Sequence, residues 1–179
     1  VTGSDNEDTL TLQSGNIVNG NISMENGNDI FVIGSGATIN GNTNMGDNDD
    51  ILTVEAESII NGTLNGGMGR DTLNFDSPIT RDAANGGINI HHNISGFEKM
   101  NINTNVTLFE KTIKDDGTLE DLAIIGAENI TIKQNGVLTL RIDSTNTANL
   151  GGIDKIIGHA LYGNTGTISS EGGKLLLAL

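Results

Sequence analysis

The chain has 179 residues with a formal net charge of −14 at pH 7, and 35% of its residues are apolar, which is enough for a folded core. Its acidic surface would repel phosphate backbones and it has no cysteine, so we expect no nucleic-acid binding, no disulfide and no thiolate metal site. Glycine occurs 25 times, proline once, and aromatic residues make up only 3%, a composition that predicts many tight turns.

Aspartate recurs every 21 residues in the first part of the chain, and each copy begins a strand-like segment of alternating apolar residues. The four segments are DTLTL, DIFVI, DILTV and DTLNF, which begin at Asp8, Asp29, Asp50 and Asp71. Two positions of the repeat are apolar in all four copies. The first position holds Leu10, Phe31, Leu52 and Leu73, and the second holds Leu12, Ile33, Val54 and Phe75.

An Asn-Gly pair lies eleven residues after each of the first three aspartates, beginning at Asn19, Asn40 and Asn61. Apolar positions flank these pairs in each copy. They are Val18, Ile39 and Ile60 on one side, then Ile22, Thr43 and Leu64 on the other. We expect the glycine of each pair to form a corner, or a narrow place in the wall where a side chain would not fit.

Stacking of the copies explains this repeat. No single copy can bury its apolar face alone, whereas coils stacked about 4.8 Å apart place equivalent residues over each other. The sequence therefore predicts an all-β fold, a parallel β-helix that forms a solenoid with coils of about 21 residues. A β-sandwich with strands every 8 to 12 residues, roughly, is the alternative, but it does not explain why the register is so strict.

Residues 66–73, GGMGRDTL, fit one nonapeptide of the calcium-binding β-roll of secreted toxins. In that β-roll each ion takes oxygens from consecutive nonapeptides, whereas here the similar segments lie a whole coil apart. We therefore expect glycine, asparagine and aspartate to form the corners. Each aspartate carboxylate is expected to accept backbone N–H groups of the turn that leads into its own strand.

Four aspartates stacked about 4.8 Å apart would repel each other by about 1 kcal/mol per neighbour in water, and by more at a lower dielectric constant. Such a ladder is expected either to be hydrogen-bonded and exposed to solvent, or to be neutralised by a cation. Asp47, Asp49 and Asp50 form the densest carboxylate cluster and are the candidate calcium ligands.

The register changes after the fourth copy, so we divide the chain into regular 21-residue coils at 1–75 and less regular coils at 76–179. Residues 76–87 hold the only proline and predict a loop that protrudes from the stack. Strand patterns resume at 88–113, 129–142 and 174–179. Residues 114–123 predict a turn-rich excursion, with one helical turn as the alternative.

The asparagine-rich coils are followed by ISGFEKMNI at 94–102, NGVLTLRIDSTN at 135–146 and GHALYGNTGTISSEGGKLLLAL at 158–179. Over essentially its whole length the chain resembles the passenger of a type V autotransporter adhesin of Gram-negative bacteria, especially the large fusobacterial passengers. The resemblance rests on repeat texture rather than on a catalytic signature. It implies a right-handed parallel β-helix at the cell surface, anchored to the outer membrane or secreted.

The same resemblance implies attachment to the outer membrane through a C-terminal barrel that this sequence does not include. Residues 76–179 would then be the membrane-proximal, autochaperone-like end of the passenger. The apolar pattern is already under way at Val1, so we expect the chain to belong to something longer. An unpaired strand edge near Val1 is expected to support end-to-end self-association.

The sequence holds no cluster of reactive side chains typical of an enzyme. His91 and His92 follow a strand pattern, so their rings are expected to face opposite sides and not to ligate one ion. The basic side chains that could abstract a proton are scattered, at Arg70, Arg81, Lys99 and Arg141. We therefore predict no catalytic, cofactor-binding or metal-binding residue, and no cofactor.

These observations favour a structural or adhesive segment that extends an adhesin from the outer membrane, with a host or bacterial surface receptor that the sequence does not identify. A calcium-binding secreted repeat module is the second hypothesis. A polysaccharide lyase or hydrolase built on the β-helix is the third hypothesis. Sugar-cleaving grooves commonly use aromatic side chains as platforms, and this chain has no Trp and a single Tyr, which argues against it.

Overall fold

The computed structural model describes residues 1–77, 86–109, 111–113, 119–121, 124–141 and 167–178. Within these ranges the chain is all-β, without a helix, and every strand pair but one is parallel. None of the described residues belongs to a helix long and apolar enough to cross a membrane. The strands stack coil on coil in several sheets, as the predicted parallel β-helix requires, so the fold-class prediction is confirmed.

Sheet I receives one strand from each successive coil, and its seven strands lie in chain order within the described residues. They are β1 (Thr9–Leu12), β4 (Ile30–Ile33), β7 (Ile51–Glu55), β10 (Thr72–Asp76), β13 (Lys99–Ile102), β18 (Asn129–Ile132) and β20 (Thr167–Ser170). Equivalent residues of neighbouring strands pair directly, from Leu10 through Phe31 and Leu52 to Leu73. The same column continues through Met100, Ile130 and Ile168.

The remaining strands of each coil form the other walls of the solenoid. Sheet II contains β3 (Ile22–Ser23), β6 (Thr43–Asp47), β9 (Leu64–Met68), β12 (Ile94–Ser95) and β17 (Ile124–Ile125). Sheet III contains β2 (Ile17–Asn19), β5 (Thr38–Asn40) and β8 (Ile59–Ile60). Sheet IV contains β11 (Gly87–Ile90), β14 (Asn105–Phe109), β19 (Val137–Arg141) and β21 (Lys174–Ala178). In the first three coils the strand that follows sheet I along the chain belongs to sheet III, whereas in the later coils it belongs to sheet IV.

The alternating apolar side chains of each strand point inward and form one hydrophobic core. Phe31, Leu52 and Leu73 are fully buried, whereas Leu10 is partly buried because only one coil of the chain covers it. The second predicted column, from Leu12 to Phe75, is buried as well. Both predicted interior columns are therefore confirmed, and with them the stacking of equivalent residues.

Two of the Asn-Gly glycines lie where a coil presses against its neighbour. A Cβ on Gly41 would collide with the main-chain oxygen of Gly20, and one on Gly62 would collide with that of Gly41. Gly20 itself has open space around it and a φ of +124°, which favours glycine for its backbone conformation instead. The prediction of a narrow place in the wall is thus confirmed at Gly41 and Gly62.

The later coils are longer because segments are inserted between their strands. The step along the column of sheet I is 27 residues from Leu73 to Met100, 30 from Met100 to Ile130 and 38 from Ile130 to Ile168. One inserted segment contains the antiparallel hairpin of β15 (Lys111–Ile113) and β16 (Leu119–Asp121).

The predictions for the inserted segments are only partly covered by the structure. Of the predicted loop at 76–87, Asp76 ends β10 and Gly87 begins β11, while residues 78–85 lie outside the described residues. Residues 119–121 form a strand, so a helical turn there is wrong, and the remainder of 114–123 is not among the described residues.

Leu52→Ala tests whether the column of sheet I holds the coils together. Leu52 is fully buried, so we expect the free energy of unfolding in urea to fall by about 2–5 kcal/mol. The neighbouring substitution Ile51→Ala is the matched control, because Ile51 points outward and is 40% exposed. Its loss should be about 1 kcal/mol or less. Equal losses in the two variants would contradict the inward orientation of Leu52.

Candidate functional site

The repeated aspartates form a ladder along the inside of the solenoid. This aspartate ladder consists of Asp8, Asp29, Asp50 and Asp71, each one residue before a strand of sheet I. Asp29, Asp50 and Asp71 are only 0–1% exposed, and Asp8 in the first coil is partly buried. Each aspartate lies two residues before an inward apolar side chain, so the period of the strand turns it inward as well.

Each buried carboxylate binds the main chain of the coil before it. The N–H of Asp8 donates to Asp29 Oδ1 at 2.7 Å, that of Asp29 to Asp50 Oδ1 at 2.7 Å, and that of Asp50 to Asp71 Oδ1 at 2.8 Å. The N–H of Asp71 donates to Glu98 Oε2 at 2.7 Å, so the longer Glu98 side chain continues the ladder into the next coil.

This arrangement corrects two predictions made from the sequence. We expected each carboxylate to accept N–H groups of its own turn, which holds only for Asp8, whose Oδ2 accepts the N–H of Ser4 at 2.6 Å. We also expected the ladder to be hydrogen-bonded and solvent-exposed, with neutralisation by a cation as the alternative, and solvent exposure is wrong for Asp29, Asp50 and Asp71. The ladder is hydrogen-bonded but buried, because the same alternation that buries Phe31 also buries Asp29.

The second oxygen of each buried carboxylate is unsatisfied. Oδ2 of Asp29, Asp50 and Asp71 is inaccessible to solvent and has no hydrogen-bond partner. A buried charge without a partner is unfavourable, and such a group responds by taking up a proton. The geometry therefore favours the neutral carboxylic acid at these positions.

Burial raises the pKa of all three inner aspartates. The pKa of Asp50 rises to about 7, because desolvation outweighs the hydrogen bond from the Asp29 N–H, and the charges of Asp71, Asp29 and Asp49 add to the rise. The pKa of Asp71 rises to about 6, mainly through desolvation and further through Glu98 and Asp49, although the Asp50 N–H lowers it. Desolvation also raises the pKa of Asp29.

Side chains on the outer surface also accept main-chain N–H groups, but from the coil that follows them rather than from the coil before. Asp49 accepts the N–H of Arg70 at 2.9 Å from the coil that follows it, and the N–H of Asp49 donates to Asn28 Oδ1 at 3.1 Å. Asn21 and Asn42 likewise accept N–H groups one coil further on. The carboxylates at the corner thus fix the register from inside, and the outer side chains fix it from outside.

Asparagine side chains also bond to each other across the coils. The Nδ2 of Asn40 donates to Asn19 Oδ1 at 2.8 Å, and that of Asn61 donates to Asn40 Oδ1 at 2.8 Å. A third pair joins Asn65 to Asn44 at 3.0 Å. We did not predict these ladders, although the 21-residue recurrence of asparagine in the printed sequence is the signal that could have revealed them.

The candidate calcium ligands do not face a common point. Asp50 points into the core, while Asp49 is exposed and bound to the Arg70 N–H. Asp47 is partly exposed at the end of β6. Over the residues that the structure describes, no group of three His, Asp or Glu side chains could hold a metal ion.

The other residues weighed as catalytic groups lie apart from one another. His91 is exposed and its ring stacks on Phe109 with centroids 4.0 Å apart, and His92 is partly buried. Arg70 is exposed and pairs with Glu128 at 3.4 Å. Lys99 is exposed in β13, Arg81 lies outside the described residues, and the Arg141 side chain is not described.

An open polar groove of about 490 Å³ lies on the outer face of sheet I in the later coils. The Nδ2 of Asn101 donates to Asn74 Oδ1 at 2.8 Å within it, and Lys133 pairs with Glu171 at 2.9 Å. These amides offer hydrogen bonds to a polar ligand, but the lining contains no histidine or hydroxyl group that could act as a nucleophile with its base.

Comparison with known proteins returns no relative. No protein-family model matches the chain, and neither a curated protein nor a solved structure does. The function proposed below therefore rests on the coils and ladders of this chain.

The aspartate ladder predicts that the protein is more stable at acidic than at neutral pH. The pKa of an aspartate in an unfolded chain is about 4. In the folded chain the pKa of Asp50 is about 7 and that of Asp71 is about 6. Between these limits the folded state holds more protons, so its free energy of unfolding falls as pH rises. From pH 5 to pH 8 we expect a loss of at least about 1.4 kcal/mol, equivalent to one pKa unit, measured by urea unfolding.

Asp50→Asn should flatten this pH dependence, because the amide keeps an oxygen for the Asp29 N–H but cannot ionise. Asp5→Asn is the matched control: it removes a solvent-exposed carboxylate of the first coil that is not among the charges raising the pKa of Asp50 or Asp71, so it should keep the slope of the unsubstituted protein. A slope in Asp50→Asn as steep as that of the control would show that the inner carboxylate is not the titrating group.

Proposed function

We propose that this chain is a surface-displayed structural or adhesive β-helix segment of an autotransporter passenger from a Gram-negative bacterium. The passenger would be anchored to the outer membrane or secreted, and residues 76–179 would be its membrane-proximal end. The observation that carries the proposal is the unbroken register of sheet I, in which one column of side chains runs from Leu10 to Ile168. Such a regular stack is suited to a rigid spacer.

The dimensions of the stack support a spacer. Seven strands at the usual separation of about 4.8 Å span about 29 Å, and each added coil would extend the rod by one more step. Every coil is tied to the next by main-chain pairing and by side-chain ladders, so the rod resists bending between coils. A surface receptor would then meet the loops or outer faces of a rigid support.

The distribution of reactive groups also supports a role without catalysis. Of the basic side chains weighed as proton abstractors, the two that the structure describes, Arg70 and Lys99, lie in different coils, and Arg70 is paired with Glu128. A lyase or hydrolase would need a base and carboxylates converging on one substrate atom. Turnover of an acidic polysaccharide by this chain would overturn the proposal.

Removal of one whole coil tests the role as a spacer. Deleting residues 30–50 in the full-length surface protein joins Asp29 to Ile51 and keeps every column in register, since 21 residues separate equivalent positions. We expect surface display to persist and adhesion to change little. The matched control deletes residues 30–40, about half a coil, which turns the following side chains to the wrong face and should abolish display.

Display and adhesion are scored separately, by surface labelling and by attachment of cells to their partner. Loss of adhesion with normal display after the one-coil deletion would place receptor contacts inside residues 30–50, and would argue for an adhesive rather than a spacing role. Loss of display after the one-coil deletion would contradict the independence of the coils on which the proposal depends.

The hypothesis of a calcium-binding repeat module predicts that folding depends on calcium. We expect instead the same melting temperature with millimolar calcium and with a chelator, because Asp49 and Asp50 point to opposite sides of the wall. Thermal unfolding followed by circular dichroism checks this. A melting temperature that rises with calcium concentration would favour the calcium module, since a ligand of the folded state stabilises it by mass action.

A further inference from the structure

The corners between sheet I and sheet IV differ in length from coil to coil. Between β13 and β14 the corner consists of Asn103 and Thr104 alone, whereas residues 133–136 connect β18 to β19 in the next coil. Thr104 is 1% exposed, while Gln134 and Asn135 are exposed. The longer corner therefore stands out from the shorter one, and the polar groove of about 490 Å³ lies along this step.

The groove lies on the side of the rod rather than at an end. Its floor is formed by β13, which pairs with β10 on one side and with β18 on the other. From β10 to the residue after β20 it crosses three strand separations, about 14 Å at the usual spacing of about 4.8 Å. Its volume falls within the range of about 300–1,000 Å³ that is typical of small-molecule sites. These dimensions suit an elongated ligand.

The period of the strands turns polar side chains toward the groove. Phe75 and Ile102 are buried, so the residues on either side of them point outward. These outward residues all carry an amide or a carboxylate, and they are Asn74, Asp76, Asn101 and Asn103. The floor of the groove is therefore made of hydrogen-bonding groups.

Asp76 and Asn103 form a donor and acceptor pair whose capacity is only partly used. The Nδ2 of Asn103 donates to Asp76 Oδ1 at 2.8 Å, and the Ser77 N–H donates to the same oxygen at 2.8 Å. An amide nitrogen has two hydrogens and a carboxylate has two oxygens. These bonds use one hydrogen of Asn103 and one oxygen of Asp76, which leaves the second of each for a ligand.

The charge of the groove argues against an anionic ligand. Among the described residues of the lining, Lys133 supplies the one positive charge, and it is paired with Glu171 at 2.9 Å. Asp76 adds a second negative charge, on a chain whose formal net charge is −14. A phosphate or a uronate would meet more repulsion than attraction here.

The groove also lacks the features that bind an extended peptide. A peptide that adds a strand needs an unpaired sheet edge, but both edges of β13 are paired. Specificity for a peptide would further need pockets for apolar side chains. Among the described lining residues Phe75 is the one apolar residue, and its side chain is fully buried. A neutral ligand rich in hydroxyl groups fits these conditions better.

We propose that this groove binds a neutral saccharide. Hydroxyl groups both donate and accept hydrogen bonds, so two neighbouring sugar hydroxyls can accept from Asn103 Nδ2 and donate to Asp76 Oδ2. The exposed amides of Gln134 and Asn135 bond to further hydroxyls at the rim. Each of these bonds replaces one with water, and the described lining offers no exposed aromatic face, so the Kd is in the millimolar range.

This inference goes beyond the proposed function, because binding by the purified chain depends neither on surface display nor on a membrane anchor. Absence of binding would remove the saccharide and leave the role as a spacer standing. Cleavage of a bound saccharide, detected by mass spectrometry, would instead overturn the proposed role without catalysis and leave the groove as the binding site.

Two substitutions in the groove test the site. Gln134→Ala removes an exposed amide at the rim, and Asn103→Leu removes the donor on the floor at a similar side-chain volume. Asn65→Leu is the matched control, because it removes an amide that bonds to Asn44 of the neighbouring coil in sheet II, outside the groove. Far-UV circular dichroism checks the fold of every variant. If Asn103→Leu fails to fold, Gln134→Ala carries the test.

Saturation-transfer NMR measures binding to the purified chain. The neutral probes are cellotetraose, mannotetraose and lacto-N-neotetraose, and tetragalacturonate is the anionic probe of similar length. We expect saturation transfer to at least one neutral probe and none to tetragalacturonate. Titration of that neutral probe should give a Kd that rises about threefold in Gln134→Ala and about tenfold in Asn103→Leu, and that stays unchanged in Asn65→Leu.

The inference is wrong if none of the three neutral tetrasaccharides binds, or if tetragalacturonate binds as tightly as the neutral probes. It is also wrong if the folded groove variants bind as tightly as Asn65→Leu, since the saccharide would then occupy another part of the surface.

Discussion

The hydrogen bond that spans one coil is the interaction on which this structure depends. A coil of 21 residues has too little core of its own, so each turn of the chain is stable only against its neighbours. Main-chain pairing alone would tolerate a shift along the strand, since every residue offers the same groups. Side chains that bond to the main chain exactly one repeat away, such as Asp50 to Asp29 and Asp49 to Arg70, remove that freedom.

The buried carboxylates lower the stability of the fold but fix the register in which the coils stack. Desolvating Asp50 and leaving its Oδ2 unpartnered is unfavourable, and a buried polar group without a partner costs about 1–3 kcal/mol. Slippage by one residue would cost more, because it would turn the aspartates outward, orphan the N–H groups that they now accept, and expose Phe31 and its equivalents. The ladder therefore penalises the wrong stacking more strongly than it weakens the right one, and protonation relieves part of the cost in the correct state.

The fold could be predicted from the sequence because the 21-residue repeat and the two-residue alternation within each strand indicate the same stacked arrangement. The 21-residue spacing fixed which residues stack, and the spacing of two within each strand fixed that Leu52 and Val54 point inward. The same spacing of two applies from Asp50 to Leu52 and turns Asp50 inward, but the mutual repulsion of stacked carboxylates led us to expect an exposed or cation-neutralised ladder. The coils beyond Phe75 were harder, because insertions of different length hide the period and sheet IV replaces sheet III.

The change from Asp71 to Glu98 shows how the ladder adapts where the period fails. The step between these coils is 27 residues, and the extra methylene of glutamate reaches the Asp71 N–H at 2.7 Å, the same distance that aspartate achieves in the regular coils. Glu98 is partly exposed, unlike Asp50 and Asp71. Among the described residues, the fully buried acids are Asp29, Asp50 and Asp71 of the regular coils, and these are the groups whose raised pKa makes stability depend on pH.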